Sequence, residues 1–491
     1  MKSLKFLAAV AILAGSIAQH ASAAAPTHIY ITGSSAFRSA AIAAIGTATH
    51  LGNNSGTNGI VAGGGTGNDT TYTNANPPVG TATNGTQNTS FIWQGGFITN
   101  ADSSTTAVTV CATFTGSESG CATTLGSLKI PFLRDGATGT AVASAYLDAQ
   151  GALPNLTTTT YQDAGGTTRN GVYSASDEFV PDMTFSDVFQ STTPFNGTVT
   201  LGTPFNTNAT FASGIDNQVG FVTFKWLASK NFPLGTGATN VNQGTVFGSG
   251  YRVSSINVEP NALNALFTGG SLPLSQLTGN NTAGDQHTIL FPTGRNPDSG
   301  TRATALADSG VGVLASLLQM HPTSSAGVVT SQALYTVETI AGLSTLADGN
   351  SGEATGGTLR AFLGLTLPAT GLTGESGTTT AAYYVTYLGT ADASNAAVLG
   401  IGTELSYKGV PFGINAIYQG QYTFWSIEHL YDRGDLSGTQ AQTEANILTA
   451  LNATTSVNLS KAGISNLDVS NNLFQAIRFG DGTVVFSLVT P

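Results

Sequence analysis

The chain has 491 residues, enough for two large domains or about three average ones, and its hydrophobic fraction of 41% excludes disorder throughout. Only 9% of the residues are charged, so hydroxyl and amide side chains supply most of the polar surface, as is typical of an extracytoplasmic, loop-rich protein. The net charge is −11, or −13 without Lys2 and Lys5, which argues against a nucleic-acid partner because phosphate backbones select basic surfaces.

The N-terminus predicts export. Lys2 and Lys5 precede an apolar run over residues 6–17 and a small-residue stretch at 21–23, the pattern of a secretory signal peptide over residues 1–25. The apolar run is shorter than the roughly 20 residues that a membrane-spanning helix needs. We therefore expect a periplasmic or secreted protein with no membrane span after signal cleavage.

Short strands, turns and helices then alternate. Strands are predicted at residues 28–31, 108–110 and 219–224, and helices at 40–45 and 262–267. Residues 50–90 are rich in Gly, Asn and Thr and predict a long surface loop. This alternation favours an α/β fold with two similar halves.

Cys111 and Cys121 are the two cysteines of the chain. In an oxidising compartment, a pair separated by nine residues predicts a disulfide. Two cysteines and six scattered histidines form no recognisable metal motif, so neither a metal nor another cofactor is expected.

Four separated segments place small hydroxyl residues, usually with glycines, where a strand gives way to a helix. Such a helix start has unpaired amide donors and the positive end of the helix dipole, so it is suited to binding an anion. The segments are residues 32–37, 115–120, 185–189 and 295–301.

The order of these motifs resembles the phosphate-binding protein of the bacterial phosphate ABC transporter, a member of the type II periplasmic binding protein superfamily. Arg295 lies four residues before Ser299-Gly300-Thr301, as in that family. Residues 266–274 are similar to the family's Phe-x-Gly segment, and residues 420–425 to its Gly-x-Tyr-Pro stretch. The likeness includes large insertions near 50–90 and 130–175.

The resemblance implies two α/β lobes, joined by a hinge that the chain crosses twice. The first lobe would comprise residues 26–222 with 416–491, and the second residues 223–415. Inorganic phosphate would bind between them, with an ABC permease as a further partner and the protein itself monomeric. The implied ligand-binding residues are Ser35, Ala36, Phe37, Ser117, Ser119, Asp187, Arg295, Ser299, Gly300 and Thr301.

Asp187 is the residue expected to select the ligand. A carboxylate only accepts hydrogen bonds, so it suits a protonated phosphate oxygen and disfavours sulfate. Asp177, in a second Ser-Asp pair, is the alternative acceptor, and the apolar residues flanking Asp187 favour the latter. Arsenate or a phosphonate remains open as the ligand, and sensing remains open beside transport.

Two other classes of protein share features with this sequence. A secreted phosphatase-like hydrolase would need a base beside its serine nucleophile, and the sequence offers no such base, so we expect no enzyme. A β-rich adhesin would suit the low charge and the polar insertions, although the ordered anion-loop motifs argue against it.

Overall fold

The computed structural model describes nineteen segments of the chain, and the predicted signal peptide and most of the two predicted insertions lie outside them. The segments are residues 27–48, 80–84, 87–99, 104–114, 116–127, 129–132, 160–162, 168–170, 178–193, 216–233, 252–335, 348–353, 355–372, 379–393, 402–452, 463–464, 476–478, 480–482 and 486–487.

Twenty-one strands occur in these segments. They are β1 (Thr27–Gly33), β2 (Gly80–Asn84), β3 (Gln87–Thr99), β4 (Thr105–Thr113), β5 (Ile130–Pro131), β6 (Thr160–Gln162), β7 (Thr168–Asn170), β8 (Glu178–Phe179), β9 (Met183–Ser186), β10 (Asp216–Ser229), β11 (Arg252–Val258), β12 (Leu272–Pro273), β13 (Thr288–Pro292), β14 (Met320–Ser325), β15 (Val328–Leu334), β16 (Ala381–Gly389), β17 (Gly402–Tyr407), β18 (Trp425–Asp432), β19 (Gly463–Ile464), β20 (Ala476–Ile477) and β21 (Phe486–Ser487).

Ten helices accompany them in the described parts of the chain. They are α1 (Arg38–Ala48), α2 (Ser117–Leu125), α3 (Pro260–Gly269), α4 (Ser275–Thr278), α5 (Ala283–Gln286), α6 (Gly300–Asp308), α7 (Gly356–Leu363), α8 (Thr390–Ala393), α9 (Ile414–Tyr418) and α10 (Gly438–Asn452).

One large mixed sheet organises the molecule, in the order β12-β13-β16-β10-β18-β9-β1-β4-β3-β2. Strand β1 runs parallel to β4 and β9, and β13 runs parallel to β16. The pairs that β10 makes with β16, β17 and β18 are antiparallel. Parallel strands joined through helices, beside antiparallel strands, confirm the predicted α/β class.

Strand β10 is long enough to pair with different strands along its two halves. Its first half pairs with β18 as far as Thr223, which lies opposite Trp425. From Phe224 onward its partner is β16, with β17 pairing at the end of the strand. The strand therefore connects the β1–β4–β9 part of the sheet to the β13–β16–β17 part.

An aromatic cluster fills the core around this shared strand. The Trp226 ring lies with its centroid 5.2 Å from that of Phe424 and 5.5 Å from that of Tyr387. All three side chains are buried. Large apolar rings from β10, β16 and the chain entering β18 thus fix the relative positions of these elements.

The strand and helix predictions agree with the structure, whereas the surface loop predicted over residues 50–90 is wrong where the structure describes it. Residues 80–84 form β2 and residues 87–90 begin β3, because β3 pairs with both β2 and β4, and this pairing is not visible in local composition. Residues 28–31 lie in β1, 108–110 in β4 and 219–224 in β10. The predicted helices at 40–45 and 262–267 form the interiors of α1 and α3. No described helix is both long enough and apolar enough to cross a membrane.

The predicted disulfide between Cys111 and Cys121 is wrong, because both side chains are buried thiols. Cys111 lies in β4, opposite Tyr30 of β1. Cys121 lies in α2, where its Sγ is 3.4 Å from Ser186 Oγ at the end of β9. Cys111 thus belongs to a strand beside β1, whereas Cys121 belongs to a helix that contacts the end of β9, and sequence spacing alone does not reveal these separate neighbours.

Candidate functional site

The turn between β1 and α1 forms one wall of the candidate site. Gly33 has a φ of 118°, and a Cβ there would collide with the Phe185 backbone, so only glycine allows this close approach. Ser34 N donates to Phe185 O at 2.8 Å, and Ser34 Oγ accepts from Phe37 N at 3.2 Å. The turn is therefore fastened to the end of β9.

The start of α2 lies beside this turn and faces the loop before α6. Gly116 N donates to Gly33 O at 3.0 Å, and Glu118 N donates to Asp298 O at 3.1 Å. A Cβ on Gly116, whose φ is 122°, would collide with Asp298 O. The first turn of α2 is thus in backbone contact with residues from a distant part of the chain.

Asp187 follows β9 at the centre of this arrangement. Ser117 Oγ donates to Asp187 Oδ1, and Asp187 N donates back to Ser117 Oγ at 3.3 Å. Asp187 Oδ2 is buried and accepts no hydrogen bond from the described residues. A buried carboxyl oxygen without a partner is costly, so this atom is suited to accepting a proton donor from a ligand.

Burial raises the pKa of Asp187 to about 6. The hydrogen bond from Ser117 opposes this shift, the charge of Asp481 adds to it, and the charge of Arg295 opposes it. The carboxyl is therefore ionised above pH 6 and protonated below it.

Helix α6 starts directly against Ser117 and Asp187. Ser299 caps the helix, its Oγ accepting from Arg302 N at 3.3 Å. A Cβ on Gly300 would collide with Asp187 Oδ1 and lie 2.6 Å from Ser117 Oγ. The positive end of the α6 dipole consequently faces the Asp187 carboxyl.

Arg295 is buried beside the start of α6. Its Nε donates to Glu353 O at 2.9 Å, and its backbone N donates to Tyr387 OH at 3.2 Å. Burial lowers the pKa of Arg295, while the charges of Asp392 and Asp187 are among those that oppose this change. An arginine keeps its charge under such conditions, so Arg295 brings a fixed positive charge to a dry region.

A second arginine, Arg302, holds the Arg295 segment in place. Its Nη1 donates to Arg295 O at 3.0 Å and to Asn350 O at 2.9 Å, and its Nη2 donates to Asn350 Oδ1 at 2.8 Å. Sequence reasoning did not identify this role. The available signal was the position of Arg302 in the first turn of a helix. A cation there is disfavoured by the helix dipole, so its presence indicates a specific hydrogen-bonding partner.

Further buried acids surround Asp187. Burial raises the pKa of Glu118 and of Glu428 well above the ordinary range, and the charge of Asp187 adds to both shifts. Because β18 pairs His429 with Ser186, Glu428 lies next to Asp187 across the two strands. No local sequence pattern marks Glu428, since only the strand order brings it here. No group of three or more His, Cys, Asp or Glu side chains in the described segments could hold a metal ion.

Most of the predicted ligand-binding residues meet in one region, though with different contacts from those expected. Ser117, Asp187 and Gly300 are in direct contact, and Thr301 follows Gly300 in the first turn of α6. Arg295 and Ser299 flank that turn.

The remaining predicted residues are more peripheral or already bonded. Ser35 and Ala36 are half-buried in the β1–α1 turn, and the amide of Phe37 is bonded to Ser34. The hydroxyl of Ser119 donates to Gly116 O at 3.1 Å within α2. Asp177, the alternative acceptor, lies outside the described residues.

No model of a protein family matches the chain, and no curated sequence does either. Among solved structures, similarity is found to an ABC-type phosphate transport receptor from Vibrio cholerae, at 11% identity and a TM-score of 0.31, covering 58% of this chain and 80% of that one. PstS from Borrelia burgdorferi is similar at 8% identity and a TM-score of 0.34, covering 89% and 98%. A phosphate-binding protein from Stenotrophomonas maltophilia matches at 13% identity and 0.32, covering 72% and 83%. At these low similarities, function has to be inferred from the chain's own residues.

Proposed function

We propose that this chain is an exported solute-binding protein, not an enzyme, that captures inorganic phosphate for ABC-type uptake or for sensing. The ligand would lie between Asp187 with the starts of α1 and α2 on one side, and the segment from Arg295 to Thr301 on the other. The protein would act in the periplasm or outside the cell, as a monomer and without a cofactor.

The observation that carries the proposal is the meeting of the α6 N-terminus with Ser117 and Asp187. The amides of Gly300 and Thr301 belong to the first helical turn, where no backbone acceptor within the helix is available to them. The hydroxyl of Thr301 adds a neutral donor, and the helix dipole favours negative charge. Such a set of donors matches a tetrahedral oxyanion that has lost its water.

Arg295 would add the charge that the neutral donors lack. A guanidinium binds two oxygens of one phosphate through parallel hydrogen bonds, which gives orientation as well as affinity. Arg295 Nε is bonded to Glu353 O, which orients the guanidinium beside the start of α6.

Asp187 would distinguish phosphate from sulfate. Above pH 6 its carboxylate can only accept, and the unpartnered Oδ2 suits a protonated phosphate oxygen. Sulfate carries no proton at that pH, so it would face an ionised carboxylate in a dry region.

Closure of two lobes would trap the ion. We propose the lobes as residues 26–222 with 416–491 and residues 223–415, and strand β10 runs through the first boundary between them. Asp187 and Ser117 belong to the first of these and the Arg295–Thr301 segment to the second, so the ligand would bridge them.

Equilibrium dialysis with radiolabelled phosphate tests the proposal. We expect saturable binding of one phosphate per chain with a Kd of about 1 μM or tighter. Heat-denatured protein controls for non-specific uptake. Absence of saturable binding up to about 1 mM phosphate would overturn the proposal.

A further inference from the structure

Three residues near the C-terminus contact the two elements that carry the candidate anion site, helix α6 and the loop after Asp187. They are Arg478, Asp481 and Gly482, and we call them the strap. They follow β20 and lie far in sequence from α6 and from the loop that carries Asp187.

One end of the strap holds the C-terminus of α6. Arg478 is buried, and its Nη2 donates to Asp308 Oδ1 at 2.9 Å, while Nη1 donates to Trp425 O at 2.7 Å. A Cβ on Gly482 would lie 2.5 Å from Ala307 O, so this glycine packs directly on the last turn of α6.

The other end of the strap holds the loop after Asp187. Asp481 Oδ2 accepts from Phe189 N at 2.8 Å, and its Oδ1 accepts from Ser426 Oγ at 2.8 Å. Phe189 is two residues beyond Asp187, and the charge of Asp481 also raises the pKa of Asp187. Asp481 therefore acts on both the position and the charge environment of that carboxyl.

A helix moves nearly as a rigid body, so a shift at its C-terminal turn moves Gly300 at its N-terminal turn relative to Asp187. The strap fixes that C-terminal turn and the Asp187 loop to the same short segment. We propose that Arg478, Asp481 and Gly482 are positioning residues that couple the two sides of the anion site and hold them in the closed arrangement.

The effect of the strap on ligand release rests on the proposed function. The mechanical coupling between the two sides does not, and it can be tested without ligand. If the strap couples the two sides, a change at either of its ends alters both. If it is ordinary C-terminal packing, each change acts only on the segment that it contacts. Hydrogen exchange at residues 186–189 and at residues 302–303, whose amides are bonded to Ser299, separates these two cases.

The experiment uses Asp481→Asn at one end of the strap and Gly482→Ala at the other, in the full chain. Asp435→Asn is the control for the first, because Asp435 is an exposed acid paired with Arg433. Gly279→Ala is the control for the second, because Gly279 has a φ of 66°, similar to the 70° of Gly482, and a Cβ there would touch nothing within 4 Å.

We expect each strap variant to speed exchange in both segments by about tenfold, and neither control to do so. In the same variants, phosphate release in stopped-flow mixing should be about tenfold faster, with the association rate changed much less. Exchange confined to the contacted segment, or release rates equal to those of the controls, would overturn the coupling. If wild-type protein fails to bind phosphate, the proposed function fails, and the exchange measurements still decide the role of the strap. Should one variant not fold, the variant at the other end provides the same two readouts.

Discussion

Arg295 is a buried cation on the α6 side of the candidate site, beside neutral donors. Arg295→Ala removes the charge that would balance the anion, and we expect it to weaken phosphate binding by about 2 to 5 kcal/mol, measured by calorimetric titration. Arg433→Ala is the control, because Arg433 pairs with Asp182 and Asp435 at the opposite end of β9 from Asp187. Phosphate affinity unchanged by Arg295→Ala would remove this residue from the site.

Asp187 makes the stability of the ligand-free protein depend on pH. Its folded pKa of about 6 lies above the ordinary value of 3.8, so between pH 4 and 6 the folded state binds more protons than the unfolded chain. Its contribution to stability is therefore complete below pH 4 and is lost as the pH rises to 6, by on the order of 3 kcal/mol.

Denaturant unfolding of wild type and Asp187→Asn across pH 4 to 7 measures this contribution. Because Asp182 has a similarly raised pKa, the difference between the two proteins is the informative quantity. We expect Asp187→Asn to gain stability relative to wild type as the pH rises. A difference that does not change with pH would mean that Asp187 titrates near its ordinary value.

At the scale of the element, helix α6 depends on glycine at its first position. Gly300→Ala would drive a methyl group into Asp187 and Ser117 and separate the two sides, so phosphate affinity should fall at least about tenfold. Gly269→Ala is the matched control, since Gly269 also lies in a helix and a Cβ there touches nothing within 4 Å. Equal phosphate affinities of the two variants, measured by equilibrium dialysis, would contradict the predicted contact.

Strand β4 and helix α2 each carry one cysteine thiol. We expect alkylation under denaturing, non-reducing conditions to modify both Cys111 and Cys121, as read by mass spectrometry of the exported protein. A prior reduction step serves as the control and should add no further label. If the two cysteines are labelled only after reduction, they form a disulfide and the assignment of free thiols is wrong.

For the molecule as a whole, the sequence predicted what is encoded locally. Apolar runs and helix starts located β1, β10, α1 and α3, because hydrophobic periodicity and turn residues act over a few positions. The same local signals marked the hydroxyl-rich starts of α2 and α6.

Sequence reasoning missed the residues whose place depends on the order of strands. Glu428 reaches Asp187 because β18 lies between β9 and β10, and Asp481 reaches Phe189 from a segment near the C-terminus. The disulfide prediction failed for a related reason, since spacing does not report which element a cysteine joins.

A competition titration of phosphate against sulfate tests the central claim most directly. At pH 7.5, wild-type protein should bind sulfate at least about a hundredfold more weakly than phosphate, on the order of 3 kcal/mol. Below pH 6 the ratio of phosphate affinity to sulfate affinity should fall, because a protonated Asp187 carboxyl can donate a hydrogen bond to a sulfate oxygen. Asp187→Asn should lower the affinity for phosphate modestly and raise the affinity for sulfate relative to that for phosphate. Asp435→Asn is the control and should leave both affinities unchanged. Equal binding of both anions by wild-type protein, or a ratio altered by Asp177→Asn and not by Asp187→Asn, would contradict this account.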